Sequence, residues 1–202
     1  MQKEKILNYL VLVNKCHRYR EHDFEYRKLI ETIDIEGNPL YLEKHTYEHF
    51  LRFKNRLDKE GIYVSLTSGY RSLEEQRKTI EELAQVYTDP DVLYQKVSPV
   101  GTSEHHTGLA LDLTVSSKEE YQNRLSTYYT NDELDEREKK YQRIADISGE
   151  YGFILRYPKG KEKITGYAYE PWHFRYVGKK VASFIMKHRL TLEEYLALPK
   201  IS

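Results

Sequence analysis

The stretch of this sequence most informative for chemistry runs Ser103-Glu104-His105-His106-Thr107-Gly108-Leu109-Ala110-Leu111-Asp112. His105 lies just before a predicted strand and Asp112 lies within it, across a turn at Gly108. An imidazole and a carboxylate so placed supply nitrogen and oxygen ligands to one metal ion. Ala110 shares the face of Asp112, and its small side chain leaves room beside the carboxylate. The plainer reading is a surface loop that leads into an ordinary half-buried strand. These residues alone leave both readings open.

A second stretch reads Glu170-Pro171-Trp172-His173-Phe174-Arg175-Tyr176-Val177. On a straight strand Glu170 and His173 would face opposite ways. Pro171 predicts a turn that swings Glu170 back beside His173. A metal-ligating histidine beside a non-ligating glutamate is what metal-assisted hydrolysis requires, since the metal acidifies water and the carboxylate takes the proton. The alternative is a buried Trp172 anchoring the turn, with Glu170 solvated. The third stretch is Ser68-Gly69-Tyr70-Arg71-Ser72, followed by Gln76. Arg71 at a strand-to-helix junction reaches toward an anionic centre, helped by the positive end of the helix. Otherwise it pairs with a surface carboxylate.

A competing metal pattern is His45-Thr46-Tyr47-Glu48-His49, the H-x-x-E-H order of inverted zinc peptidases. Its two histidines share a helix face, but His45 falls at the frayed helix start. No later helix offers an obvious acidic third ligand, and in a chain this rich in Glu and His the match is cheap. His17, His22, His106 and His188 read as solvated or hydrogen-bonded. Cys16 has no catalytic partner nearby.

Hydrophobic periodicity predicts the elements that position these groups. Residues 46–60 carry Tyr47, Phe50, Leu51 and Leu57 at helical spacing before Gly61. Residues 62–67 alternate as a strand. Ser72-Leu73-Glu74-Glu75 is a capping box opening a helix with Leu73, Ile80, Leu83, Ala84 and Tyr87 on its apolar face, ended by Asp89-Pro90. Residues 109–115 form a strand with Leu109, Leu111, Leu113 and Val115 on one face. A helix near 138–150 leads through Gly152 into a strand at 153–157, and Pro158-Lys159-Gly160 predicts a turn with a hairpin partner to follow. A strand at 173–177, a helix near 179–188 and a short helix capped at Thr191 complete the chain. The expected class is α+β, with a small, largely antiparallel central sheet and flanking helices. The expected organisation is one domain over residues 1–202. Within it, 1–40 form an N-terminal extension with a turn at Gly37-Asn38-Pro39, and 41–180 form the core. Residues 116–140 form an insertion or lid, and 181–202 the C-terminal helices.

Together the three chemical stretches resemble the VanY-type zinc D-alanyl-D-alanine carboxypeptidases, a family that includes the dipeptidase/carboxypeptidases of vancomycin resistance. Its pattern S-x-H-x-x-G-x-A-x-D is filled by Ser103, His105, Gly108, Ala110 and Asp112. Its E-x-W-H is filled by Glu170, Trp172 and His173, and S-G-Y-R-S-x-x-x-Q by Ser68 to Ser72 and Gln76. Residues 151–159 also look like this family, and the resemblance covers roughly residues 45–180. The resemblance implies one zinc per chain held by His105, Asp112 and His173, with Glu170 as general base and then acid. It implies Arg71 as the oxyanion donor and Ser103 and Gln76 as substrate contacts. The implied substrate is a peptidoglycan precursor peptide ending in D-alanine, or D-Ala-D-Ala itself. An L,D-carboxypeptidase, a lysis-type endopeptidase and a non-catalytic zinc-binding module are the alternatives.

Composition narrows the partners. Lys+Arg and Asp+Glu both total 32 in 202 residues, so no net field draws the chain to nucleic acid or an acidic membrane. Aromatic residues at 13%, among them 19 tyrosines, argue for an ordered core. The stretch Ile6 to Val13 is too short to span a bilayer, no signal cleavage site follows it, and a single cysteine excludes an internal disulfide. The expectation is a soluble cytoplasmic enzyme.

Overall fold

The structure, a computed structural model, describes residues 8–116 and 131–199. Four antiparallel strands make the central sheet: β3 (Tyr63–Ser68), β4 (Ala110–Ser116), β5 (Phe153–Leu155) and β6 (His173–Tyr176), in the order β3-β4-β6-β5. A separate two-stranded ribbon pairs β1 (Leu29–Ile33) with β2 (Pro39–Glu43). Around them lie α1 (Lys44–Lys59), α2 (Leu73–Ala84), α3 (Pro90–Lys96), α4 (Asn131–Ser148), α5 (Glu162–Thr165), α6 (Lys179–His188) and α7 (Leu192–Leu196). The α+β class expected from the sequence is the one found. None of the described helices is long and apolar enough to cross a membrane.

The period-2 rule divides the sheet's two faces between packing and chemistry. Leu111 and Leu113 of β4, Val64 and Leu66 of β3, and Phe174 and Tyr176 of β6 turn to one side. There they pack under Phe50, Phe53 and Leu57 of α1 and Ile144 and Ile147 of α4. Helix α1 presents those residues because they recur at steps of three and four. The Glu43 carboxylate caps its start, accepting from the backbone N–H groups of His45 (2.8 Å) and Thr46 (3.0 Å). The opposite face carries Ala110, Asp112, His173 and Arg175, with Asp112 directly opposite His173 and Ala110 opposite Arg175 in the β4–β6 register.

Several elements depart from expectation. Helix α2 ends at Ala84, short of Tyr87, and Asp89-Pro90 does not end it but opens the next helix. The Asp89 carboxylate accepts from Asp91 N–H (2.9 Å) and Pro90 opens α3, because proline suits the first helical turn. The apolar residues of α2 lie only half-covered, and its one fully buried side chain is Gln76. Residues 29–43 form a hairpin whose turn includes Gly37 at φ +92°, where the sequence suggested only an extended arm. The partner of β5 is β6, reached not through a tight turn at Pro158-Lys159-Gly160 but over a connection containing α5. Helix α4 begins at Asn131, so the expected insertion is helical in its second half. The first half, 117–130, lies outside the described residues.

Candidate active site

Asp112 and His173 face each other across adjacent strands, and His105 comes in from a 3-10 turn, Glu104–Thr107, that immediately precedes β4. Gly108 ends that turn at φ +73°, a left-handed conformation that lets the chain reverse into the strand. Each of the three residues contributes one ligand-type atom, and these atoms lie within 4.8 Å of one another. His105 Nε2 is 3.4 Å from Asp112 Oδ2, and His173 Nδ1 is 3.0 Å from Asp112 Oδ1.

The donor set fits a zinc ion. His105 Nδ1 lies 2.7 Å from the Gly69 carbonyl oxygen, an acceptor, so Nδ1 carries the proton and Nε2 turns its lone pair toward Asp112. Asp112 Oδ1 is buried and has no aligned hydrogen-bond donor among the described residues, although His173 Nδ1 stands 3.0 Å away. Close approach without hydrogen-bond alignment is what groups converging on a common cation show. Burial would raise the Asp112 carboxyl, but the imidazoles of His105 and His173 outweigh it and hold the group well below the carboxylate range. Burial pulls His105 down. His173, despite burial, is pushed up to about 10, chiefly by the Asp112 carboxylate. Asp112 is thus held as a carboxylate between the two imidazoles. Two imidazoles and a carboxylate form an N/O set suited to zinc.

Glu170 lies against the trio without joining it. The turn predicted at Pro171 is present, with His173 N–H donating to the Glu170 carbonyl (3.2 Å), and it brings Glu170 Oε2 to 3.7 Å from His173 Nδ1. Trp172 is no buried anchor: it is 41% exposed and lines the cavity. Arg71 enters from the β3–α2 junction. Its Nη2 donates to Ser68 Oγ (3.0 Å), its Nη1 to Gln76 Oε1 (3.1 Å), and its backbone N–H to the His105 carbonyl (3.1 Å). The Gln76 amide is committed at both ends, because Nε2 donates to the Ser98 carbonyl (2.6 Å). Gln76 thus holds Arg71, and it also lines the cavity in which the sequence expects it to contact substrate. Ser103 Oγ accepts from His105 N–H (3.3 Å), which leaves its hydroxyl proton for a ligand.

The metal-facing trio, Glu170, Arg71, Gln76 and Ser103 line a cavity of about 220 Å³ together with Tyr157 and Tyr167. A wider cleft of about 930 Å³ beside α4 and α6 contains none of the candidate catalytic, metal-ligating or substrate-binding residues. The early-helix alternative does not assemble. His45 Nδ1 pairs with Glu43 (3.0 Å), and His49 Nδ1 donates to the Tyr151 carbonyl (2.9 Å). His106 is buried and fully used, donating from Nδ1 to the Arg71 carbonyl (2.7 Å) and accepting at Nε2 from Gly101 N–H (3.1 Å).

The sequence reading passed over a buried ionic group behind the site. Glu104 accepts at Oε1 from Arg156 Nε and Arg175 Nη1, both at 2.8 Å. Arg156 also grips Glu193 (2.8 and 2.6 Å), and Arg175 Nη2 donates to the carbonyls of Tyr9 (3.0 Å) and Val11 (2.8 Å). The available signal was a lone arginine within each of two apolar runs, Phe153-Ile154-Leu155-Arg156-Tyr157 and Phe174-Arg175-Tyr176-Val177.

Comparison with known proteins agrees with this geometry. The model of the VanY family, described as D-alanyl-D-alanine carboxypeptidase, matches residues 39–179. The putative carboxypeptidase YodJ of Bacillus subtilis (strain 168) is 34% identical over 93% of this chain, which spans 67% of that protein. The bifunctional D-Ala-D-Ala dipeptidase and carboxypeptidase VanXYC of Enterococcus gallinarum is 32% identical, with 94% of each chain covered. Among solved structures, a point mutant of the vancomycin-resistance D,D-pentapeptidase VanY, from a VanB-type cassette and in complex with Zn(II), superposes with a TM-score of 0.77. It shares 28% identity, over 93% of this chain and 98% of that one.

Proposed function

Because the chain belongs to the VanY D-alanyl-D-alanine carboxypeptidase family, we propose that it is a zinc-dependent D,D-peptidase. It removes the terminal D-alanine from peptidoglycan precursor peptides, splits free D-Ala-D-Ala, or does both. The observation that carries this reading is the separation of roles on one cavity wall. His105, Asp112 and His173 converge within 4.8 Å, while Glu170 stands 3.7 Å from His173 and outside the trio.

Zinc bound by the trio supplies Lewis acidity, which acidifies water and polarises a carbonyl. Glu170 accepts the proton of the attacking water at its carboxylate and returns it to the departing amine. Arg71 donates from its guanidinium to the oxygen of the scissile carbonyl as negative charge builds there. The bonds from Arg71 to Ser68 and Gln76 fix the direction of that donor before substrate arrives. No side chain is acylated, so a β-lactam has nothing to trap. A cavity of about 220 Å³ suits a residue as small as alanine.

The test is product analysis with the zinc-loaded protein on D-Ala-D-Ala, on a pentapeptide ending in D-Ala-D-Ala, on a tetrapeptide ending L,D, and on the pentapeptide amide. Release of D-alanine from the dipeptide, the pentapeptide or both, with none from the tetrapeptide and none from the amide, is the expected result. Cleavage of the amide as readily as of the acid would replace this reading with an endopeptidase. Cleavage of the tetrapeptide alone would replace it with an L,D-carboxypeptidase. We further propose that the enzyme works in the cytoplasm, in keeping with its likeness to VanXYC over 94% of both chains. Recovery of the native protein outside the cell would refute that location.

A further inference from the structure

Glu104 is a buried carboxylate, 1% exposed, with its two oxygens in different positions. Oε1 takes two guanidinium donors, from Arg156 and Arg175. Oε2 is buried and has no hydrogen-bond partner among the described residues. The atom it faces is His173 Nε2, 3.7 Å away, which is likewise buried and unpartnered. Two orphaned buried polar atoms facing each other are costly unless they serve one another. They are also complementary, since a carboxylate only accepts and an imidazole N–H only donates.

We infer that Glu104 is a positioning residue that holds the proton of His173 on Nε2, so that Nδ1 keeps its lone pair for the metal. The inference rests on the proposed zinc site and deepens it. The distance of 3.7 Å is long for a hydrogen bond, and contacts of this kind commonly tighten only in the loaded site. The two arginines keep the carboxylate from turning away. Arg156 is itself braced by Glu193, and Arg175 by the carbonyls of Tyr9 and Val11. His105 obtains the corresponding service from a main-chain carbonyl, that of Gly69. Each metal-facing histidine then has an acceptor behind it, one neutral and one anionic. The anionic one raises the basicity of its imidazole more.

Glu104→Gln tests this sharply because it keeps shape and reverses one end. The two guanidinium donors retain the amide oxygen, so the amide N–H₂ turns toward His173 Nε2. A donor there favours the tautomer with the proton on Nδ1, the atom required for the metal. Zinc affinity, measured by competition with a chelator on the purified full chain, should fall by about 10–100-fold. Glu193→Gln removes a charge from the same ion cluster without touching His173. It acts on Glu104 only indirectly, through Arg156, so it should lower thermal stability and cost clearly less zinc affinity than Glu104→Gln. If E104Q folds and binds zinc like wild type, or no more weakly than E193Q, the inference is wrong. If E104Q does not fold, imidazole ¹⁵N spectra of the zinc-loaded wild type decide. A protonated, hydrogen-bonded Nε2 on His173 supports the inference, and a protonated Nδ1 overturns it. Failure of the underlying site looks different: wild type would bind no zinc, or His173→Ala would retain it.

Discussion

Gln76 offers a sharp test of how the substrate-facing wall works, because its amide holds Arg71 and is also expected to touch substrate. Oε1 accepts from Arg71 Nη1 (3.1 Å), Nε2 donates to the Ser98 carbonyl (2.6 Å), and the side chain is fully buried. Gln76→Ala deletes a hydrogen bond to a charged group, worth about 1.5–3 kcal/mol. If that bond sets the direction of the guanidinium, the correctly aimed fraction of Arg71 falls by about 10–100-fold, one factor of ten per 1.4 kcal/mol. The ceiling is set by Arg71→Ala itself, about 10²–10³ for loss of an oxyanion donor. Steady-state kinetics at full zinc occupancy should therefore show kcat reduced and KM little changed in Q76A. The double variant R71A/Q76A should be no slower than R71A, because two residues acting through one donor are not additive. A rise in KM with kcat preserved would return Gln76 to the role of substrate contact. Multiplicative losses in the double variant would refute the coupling outright.

Glu170→Gln should keep zinc and lose about 10²–10⁴ in kcat, as expected for a general base that is not a ligand; near-wild-type turnover would sink the proposed proton transfer. Metal analysis should find about one zinc per wild-type chain, lost in His105→Ala, Asp112→Ala and His173→Ala and retained in His45→Ala and His49→Ala. The reverse pattern would move the site to α1. Acid should destabilise the metal-free protein through Glu104. Burial would raise this carboxyl, but Arg156 and Arg175 outweigh it and hold it well below its ordinary value of 4.5. Its contribution is therefore intact above that pH and lost as pH falls beneath it. Thermal midpoints should drop on that acid limb, and in E104Q the limb should be flatter.

The central strand was readable because Leu109, Leu111, Leu113 and Val115 alternate strictly with smaller or polar residues, and all four are at most 1% exposed. The turn at Pro171 was readable from proline's fixed backbone, and with it the return of Glu170 to His173. What periodicity does not carry is which polar group meets which across a distance. Gln76 stands on a helix whose other residues are exposed or half-covered, so nothing local marks it as buried, and its partners Arg71 and Ser98 come from separate loops. Glu104 was hidden between two residues of a motif that drew attention to its neighbours. Its meaning depends on Arg156 and Arg175, 52 and 71 residues away. Helix α3 was missed for a local reason: Asp-Pro reads equally as a helix stop or a helix start, and here it is the start alone, since α2 has already ended at Ala84.

The brace behind the site fixes what can be cut from this protein and still work. The segment that matches the family ends at residue 179 and begins at 39, yet Arg156 leans on Glu193 and Arg175 on the carbonyls of Tyr9 and Val11. Asn14 ties the two flanks together by donating from Nδ2 to Glu193 Oε1 (3.1 Å). Excising residues 39–179 as a portable module would leave two deeply placed guanidinium groups without these partners, and breaking a single buried pair already costs about 3–5 kcal/mol. A graft, fusion or truncation must therefore carry both tails.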